Sequence, residues 1–243
     1  MIKVEKINKS FNQTNKILNS VSFYIDKGES VAIIGKSGTG KSVLLKHING
    51  LLRPESGDIW VDNILLNKLS FNELQKIRKK MAMVFQFGAL FDSMSVYDNI
   101  NFAIESLTHF SKDKIEENIH NSLSLVNLDG IEDLKPSELS GGMKKRVGIA
   151  RAIAIEPEYV LYDEPTTGLD PITSDKINSL IKKVSEKRKV TSIVVTHNME
   201  TLKFVANKVI MLHEGNIIFD GSTDELFSSD DAFIKYFVTG RNS

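Results

Sequence analysis

Gly35-Lys36-Ser37-Gly38-Thr39-Gly40-Lys41-Ser42 is the stretch around which the rest of the chain is read. It follows the pattern G-x-x-x-x-G-K-[ST]. The apolar run Val31-Ala32-Ile33-Ile34 before it reads as a buried strand, and Val43-Leu44-Leu45-Lys46-His47-Ile48 after it has helical spacing. Strand, glycine-rich loop and helix in that order are the context a phosphate-binding loop requires. The glycines let successive N–H groups turn inward, and the helix behind them adds about half a positive charge at its N-terminus, so a polyphosphate is favoured there. In that arrangement Lys41 reaches the terminal phosphates and the Ser42 hydroxyl ligates Mg²⁺.

Composition narrows the alternatives. The 243 residues suit one α/β domain or two small ones, and 41% hydrophobic content supports a sizeable core. Lys plus Arg and Asp plus Glu both number 31, so no basic excess exists to neutralise nucleic-acid phosphates. Cysteine is absent, which excludes disulfides and thiolate metal sites and fits a reducing compartment. Met1 to Lys6 alternates charge from the start, unlike a signal peptide, and no apolar run approaches the ~18 residues of a membrane span. Any link to a membrane is therefore expected to come through a partner.

Taken in order, Ile2 to Asn8 and Val21 to Ile25 alternate as antiparallel strands, and Gly57 to Asp62 is expected in the same small sheet. Ser70-Phe71-Asn72-Glu73 is a capping box opening a helix that ends near Lys80, followed by a short buried strand from Met81 to Phe85. From Phe87 to about Glu138 the pattern turns helical, with Ser95 and Ser111 as N-caps and apolar spacing at Val96, Ile100, Ala103 and Ile104. Tyr159 to Tyr162 and Val190 to Val195 read as buried strands, separated by a helix starting at Asp170-Pro171. Strands alternating with helices imply a parallel sheet with ligands at the strands' carboxyl ends. Val209 to His213 and Ile217 to Asp220 form a hairpin through Glu214-Gly215-Asn216. The segment Asp230 to Val238 has apolar residues at helical spacing, suited to folding back on its own core or to docking on a partner.

Several strand ends carry polar groups. Asp163-Glu164 directly follows Tyr159 to Tyr162; Asp163 is suited to hold Mg²⁺ through water and Glu164 to polarise an attacking water. His197 follows the next strand and Gln86 ends the strand at Met81 to Phe85. Each alone is an ordinary strand-end residue, but together they put polar groups at one sheet edge. Leu139-Ser140-Gly141-Gly142-Met143 precedes a helix, where Ser140 with the N–H groups of Gly141 and Gly142 reads either as a second anion site at a helix N-terminus or as an N-cap followed by flexible glycines.

This ordered set resembles the nucleotide-binding subunits of ATP-binding cassette (ABC) transporters. Gly35 to Ser42 is similar to the Walker A motif, Gln86 to the Q-loop glutamine, Leu139 to Met143 to the signature, Tyr159 to Glu164 to Walker B, Thr167-Gly168-Leu169-Asp170 to the D-loop and His197 to the switch histidine. The resemblance implies an α/β, P-loop NTPase fold: a RecA-like core with an N-terminal antiparallel β subdomain, an inserted α-helical subdomain over about 87–155 and a short tail over about 222–243. It implies ATP and Mg²⁺ as ligands, with Ser42, Gln86 and Asp163 on the cation, Glu164, His197 and Gln86 in the catalytic set, and Phe11 stacked on adenine. It also implies a head-to-tail dimer, in which the Ser140 region of one copy closes over ATP on the Gly35 to Ser42 loop of the other. Tyrosine is commoner than phenylalanine where Phe11 stands; phenylalanine keeps the ring face.

Phe85 to Val96, Asp163 to Thr173 and Lys41 to Lys46 look more narrowly like the Mla-type (Mkl-like) ATPases, which drive phospholipid or other hydrophobic-substrate transport between envelope membranes. That likeness implies a permease on the inner membrane of a bacterium, with this chain on its cytoplasmic face. An MCE-domain lipid-binding protein and a small regulatory subunit are the further partners implied. Phe87-Gly88-Ala89-Leu90-Phe91 would then belong to the surface that receives a coupling helix, rather than to ordinary core packing. The competing readings are a soluble ABC ATPase of DNA repair or translation, and an ATPase of small-molecule import or lipoprotein release. The stretch from Lys41 to Ser140 is too short for the coiled-coil insertion of repair members, and the short stretch after Gly215 disfavours the importers that carry a large regulatory domain.

Overall fold

Alternating strand-forming residues open the chain as β1 (Ile2–Asn12) and β2 (Asn15–Ile25) in the computed structural model, which describes residues 1–12 and 15–240. There follow β3 (Ser30–Ile34), α1 (Lys41–Ile48), β4 (Ser56–Val61), β5 (Ile64–Leu65), α2 (Phe71–Arg78), β6 (Met81–Val84), α3 (Val96–Leu107), α4 (Lys112–Leu125) and α5 (Gly141–Ala154). The chain continues through β7 (Tyr159–Asp163), α6 (Pro171–Arg188), β8 (Thr191–Val195), α7 (Met199–Val205), β9 (Lys208–His213), β10 (Asn216–Ser222), α8 (Thr223–Phe227) and α9 (Ala232–Thr239). It divides into two units, residues 1–69 with 193–243 and residues 70–192, and the division falls inside β8.

The first unit holds an antiparallel sheet in the order β2-β1-β4-β5 and the strands β10-β9-β3-β8. Both strands of the opening hairpin run further than their alternation predicts. Lys6 and Ser20 sit at positive φ, and the β1–β2 register shifts repeatedly between Val4 and Asn12, so the pattern breaks while the pairing continues. β3 pairs parallel with β9, from Val31 opposite Lys208 to Ile34 opposite Met211, and the Thr196 N–H donates to the Ile33 carbonyl beyond β8. Glu214 and Gly215 both have φ > 0, the two-residue hairpin turn whose twist suits flanking strands. The core joins Ala32, Ile34, Leu202, Val209, Met211, Leu226 and Ile234, each of the larger side chains contributing about 1.5–3 kcal/mol by leaving water. Ile234 belongs to α9, capped by Asp231, so the C-terminal segment folds back on its own core.

The second unit orders β8-β7-β6 in parallel, with Met81 opposite Tyr159 and Val84 opposite Tyr162. The strand at Met81 is one residue shorter than expected: it stops at Val84, and Phe85 is exposed because the chain turns there towards Gly88. The capping box at Ser70 forms with both hydrogen bonds, and α2 ends at Arg78. Residues 87–94 are turn and irregular backbone rather than helix, and helical backbone begins at Val96 behind the Ser95–Asp98 capping box. Val96, Ile100 and Ile104 make the buried stripe of α3, with Ala103 half-buried. Tyr97 donates its hydroxyl to Glu116, joining α3 to α4, and Asn118 reaches the Ala154 carbonyl at 3.0 Å, joining α4 to α5. Asp170 caps α6 with Pro171 in its first turn, as its sequence predicts. Among the described residues no helix is long and apolar enough to cross a membrane.

Candidate functional site

Hydrophobic strand β3 ends at Ile34, and the loop from Gly35 to Gly40 returns the chain into α1. Gly35 has φ 151°, and a Cβ there would lie 2.3 Å from the Leu212 carbonyl oxygen on β9; Gly40, at φ 99°, would place one 2.8 Å from the Ile17 carbonyl. Only glycine fits either position. Lys41 opens α1 with 6% exposure, and its Nζ donates to the carbonyls of Gly35 (2.8 Å) and Lys36 (3.0 Å). Thr39 donates its hydroxyl to the same Lys36 carbonyl at 2.9 Å. The loop thus wraps its own lysine, and a polyphosphate would replace backbone carbonyls with stronger anionic acceptors. Ser42 follows in the first turn of α1, half-buried.

Around this loop the first unit gathers residues that the sequence does not single out. Lys36, Ser37, Gly38 and Thr39 line an open cavity of about 510 Å³ with Lys16, Ile17 and the β9–β10 turn. His213, at the end of β9, lies ring to ring with Phe233 of α9 at 4.2 Å, and the Lys36 ammonium stands over that same ring. No local pattern marks this cluster, because it is assembled by the parallel pairing of β3 with β9 and by the return of α9. His197 is exposed just past β8, ahead of Asn198, whose side chain caps α7. Phe11 is 63% exposed near the end of β1, and the Lys9 ammonium stands over one face of its ring, 5.5 Å from the ring centre.

In the second unit the parallel register of β6 and β7 carries Gln86 and Glu164 out of the sheet at the same edge, each two residues past the paired Val84 and Tyr162. Asp163 and Glu164 are half-buried. Glu164 has φ 50°, a left-handed conformation that a non-glycine residue adopts only where its surroundings impose it. Thr167 donates its hydroxyl to the Glu164 carboxylate at 3.2 Å.

Ser140 caps α5 by accepting the Met143 N–H, leaving the exposed Gly141 and half-buried Gly142 in the helix's first turn. The same helix grips two loops. Lys145 donates to the carbonyls of Pro165 and Thr167, and Arg151 donates to those of Gly88 (2.8 Å) and Ala89 (2.9 Å). Burial lowers the pKa of both cations below their ordinary values, with the Glu164 charge opposing that fall at Lys145. Phe85, Phe87, Phe91 and Phe102 are each exposed, and Phe91 lies edge-on to Phe102 at 5.4 Å. The reach of Lys145 and Arg151 was not legible from sequence, since each acts on backbone carbonyls far along the chain.

Residues 18–167 match the ABC transporter family. The chain is 39% identical over 240 residues to the intermembrane phospholipid transport system ATP-binding protein MlaF of Haemophilus influenzae, covering 98% of this chain and 91% of that one. It is 41% identical over 212 residues to the methionine import ATP-binding protein MetN of Carboxydothermus hydrogenoformans, covering 87% and 63%. Among solved structures, the dimeric post-hydrolysis state of the ATP-binding cassette MJ0796 with ADP and Pi aligns with a TM-score of 0.83 at 33% identity, over 91% of this chain and 98% of that one. A strand-to-helix phosphate loop in a chain this similar to those proteins has one reading: the chain is a member of the ABC transporter family, an ATP-binding subunit with the P-loop α/β fold of its cassettes.

Proposed function

We propose that two copies of this ABC ATPase, paired head to tail, hydrolyse Mg-ATP to drive phospholipid, or another hydrophobic substrate, across or between envelope membranes through a Mla-type permease. The observation that carries the cargo is the similarity to the phospholipid-transport ATPase over 98% of the chain. The similarity to the methionine-import ATPase, over 87%, keeps small-molecule import as the second reading.

The chemistry is assigned residue by residue. Gly35 to Ser42 cradle the phosphates, with Lys41 leaving its loop carbonyls for the γ-phosphate, and Phe11 stacks on adenine. Glu164 orients and polarises the attacking water, His197 and Gln86 complete the catalytic set, and the Ser140-Gly141-Gly142 helix end of one copy meets the γ-phosphate bound by the other. The donors assigned to Mg²⁺ are all oxygens: the Ser42 hydroxyl, the Gln86 amide and the Asp163 carboxylate. Among the described residues no group of three or more His, Cys, Asp or Glu is positioned to hold a metal by itself, which fits a cation that arrives with the nucleotide and takes its remaining ligands from phosphate and water. Once bound, Mg²⁺ neutralises phosphoryl charge. Because a nucleotide touching both copies binds the closed pair better than the open one, its binding drives closure and its hydrolysis releases it.

The helical region of about 87–155 serves as the arm that carries Ser140, and the exposed Phe85, Phe87, Phe91 and Phe102 receive the permease. The subunit is peripheral, held at the cytoplasmic face of a bacterial inner membrane by that contact, with an MCE-domain protein and a small regulatory subunit as further partners. The test is purification of the chain from its native membrane in mild detergent, followed by mass spectrometry of proteins and lipids. A Mla-type permease, an MCE-domain protein and bound phospholipid are expected; an amino-acid permease with its binding protein would overturn the lipid reading.

A further inference from the structure

Glu164 sits in a backbone conformation that its residue type disfavours, at φ 50°. Such a conformation is strained for a residue with a side chain and persists where the surrounding structure holds it. Within the second unit, Thr167 and Lys145 both bear on it. Thr167 reaches the carboxylate itself, and Lys145 reaches the backbone on the far side of the turn.

Lys145 is an unusual residue to find in a helix interior, with 6% exposure. A buried ammonium is expensive unless its donors are used. Its Nζ donates to the Pro165 carbonyl at 2.8 Å and to the Thr167 carbonyl at 2.7 Å, both short, charge-assisted contacts. The two acceptors belong to the first and third residues after Glu164, so one rigid point on α5 pins the turn that sets the carboxylate's direction. The turn adds its own Thr167 N–H to Glu164 carbonyl contact at 3.3 Å, too long to hold the conformation alone. Lys145 lies little more than one helical turn from Ser140, the cap of the same helix.

We propose that Lys145 is a positioning residue for ATP hydrolysis: by clamping the Pro165 and Thr167 carbonyls it holds Glu164 in its left-handed conformation and fixes that carboxylate relative to the Ser140 end of α5. The proposal rests on Glu164 acting on the attacking water. Burial lowers the Lys145 pKa while the Glu164 charge raises it, consistent with an ammonium kept close to that carboxylate. The physical consequence is that the helix end proposed to meet nucleotide and the residue proposed to activate water move as one piece.

The test uses the full chain purified with its permease and compares steady-state ATPase kinetics of Lys145→Met, Lys145→Arg, Glu164→Gln and the Lys145→Met/Glu164→Gln double variant. Lys145→Met is expected to lower kcat by about 10- to 100-fold with KM for ATP within about twofold of the parent, the split of an interaction that orients a catalytic group without binding substrate. Lys145→Arg, which keeps the charge and donors, should recover at least about a third of kcat. The double variant should be no more than about twofold slower than Glu164→Gln, because positioning is worthless once the carboxylate is gone. A Lys145→Met enzyme with unchanged kcat, beside a Glu164→Gln enzyme that is slowed, overturns the positioning role and leaves the Glu164 assignment standing. Losses that multiply in the double variant, or a fall in kcat with a matching rise in KM that arginine does not rescue, reduce Lys145 to a structural group. Parental turnover in Glu164→Gln would remove the Glu164 assignment, and this proposal with it.

Discussion

The ammonium of Lys36, inside the phosphate loop, stands 5.6 Å from the ring centre of Phe233 on the C-terminal helix. His213 packs on that ring at 4.2 Å, so α9 braces the loop from the strand side. An exposed cation–π contact is worth about 0.5–1 kcal/mol, which is a factor of about 2–5 in an equilibrium. Phe233→Leu keeps the apolar fill and removes the ring. Its KM for ATP should rise about 2- to 5-fold with kcat held, and an unchanged KM would show that α9 does not steady the loop.

Lys41 should be required for nucleotide affinity rather than for folding. Lys41→Ala removes one charged donor that is worth about 1.5–3 kcal/mol, so calorimetric titration with Mg-ATP should show a roughly 10- to 100-fold weaker Kd. The Lys36 carbonyl keeps the Thr39 hydroxyl as donor and only the buried Gly35 carbonyl loses one, so the melting temperature should fall by only a few degrees.

Glu164→Gln separates binding from hydrolysis. General-base assistance is worth about 10²- to 10⁴-fold, and kcat should fall by that amount while ATP still binds. Light scattering in Mg-ATP should then report accumulated closed dimers, and a variant that stays monomeric would contradict the closure scheme.

Gly35→Ala tests the contact between the loop and β9. The added Cβ would meet the Leu212 carbonyl oxygen at 2.3 Å, and φ 151° is strained for alanine. Denaturant melts should show a loss of at least about 2 kcal/mol, together with loss of ATP binding. An alanine variant with parental stability would mean that β3 and β9 can part without cost.

His47, fully buried on α1, carries its Nδ1 proton to the Val43 carbonyl at 2.7 Å. Burial lowers its pKa from the ordinary 6.5, with Lys9 adding to the effect. Below that ordinary value the unfolded chain binds a proton that the folded chain resists, so this histidine's contribution to stability is present above it and is lost as pH falls towards the depressed folded value. Between about pH 7.5 and about pH 5.5 the parent should lose more stability than His47→Gln, and equal slopes would exclude His47 as the cause.

What could be read in the sequence were features whose cause is local. The capping box at Ser70, the N-cap at Ser95, the Asp170-Pro171 helix start and the Glu214-Gly215 turn depend on neighbours a few residues away, and each stands where its residues put it. The opening hairpin was underestimated because positive φ at Lys6 and Ser20 breaks the two-residue alternation without ending the pairing. Phe85 looked like strand interior by composition alone, yet it lies outside. In the site, motif spacing pointed to Gly35, Lys41, Asp163 and Glu164. It was silent on Lys145, Arg151, His213 and Phe233, whose partners are backbone carbonyls or rings brought near by the fold.

The pairing of β3 with β9 has a consequence for biosynthesis. The strand that launches the nucleotide loop emerges early from the ribosome, but the strand it lies beside is made only after residues 70–192 have been translated. A nascent product therefore lacks the wall against which Gly35 is seated until β9 itself has been made.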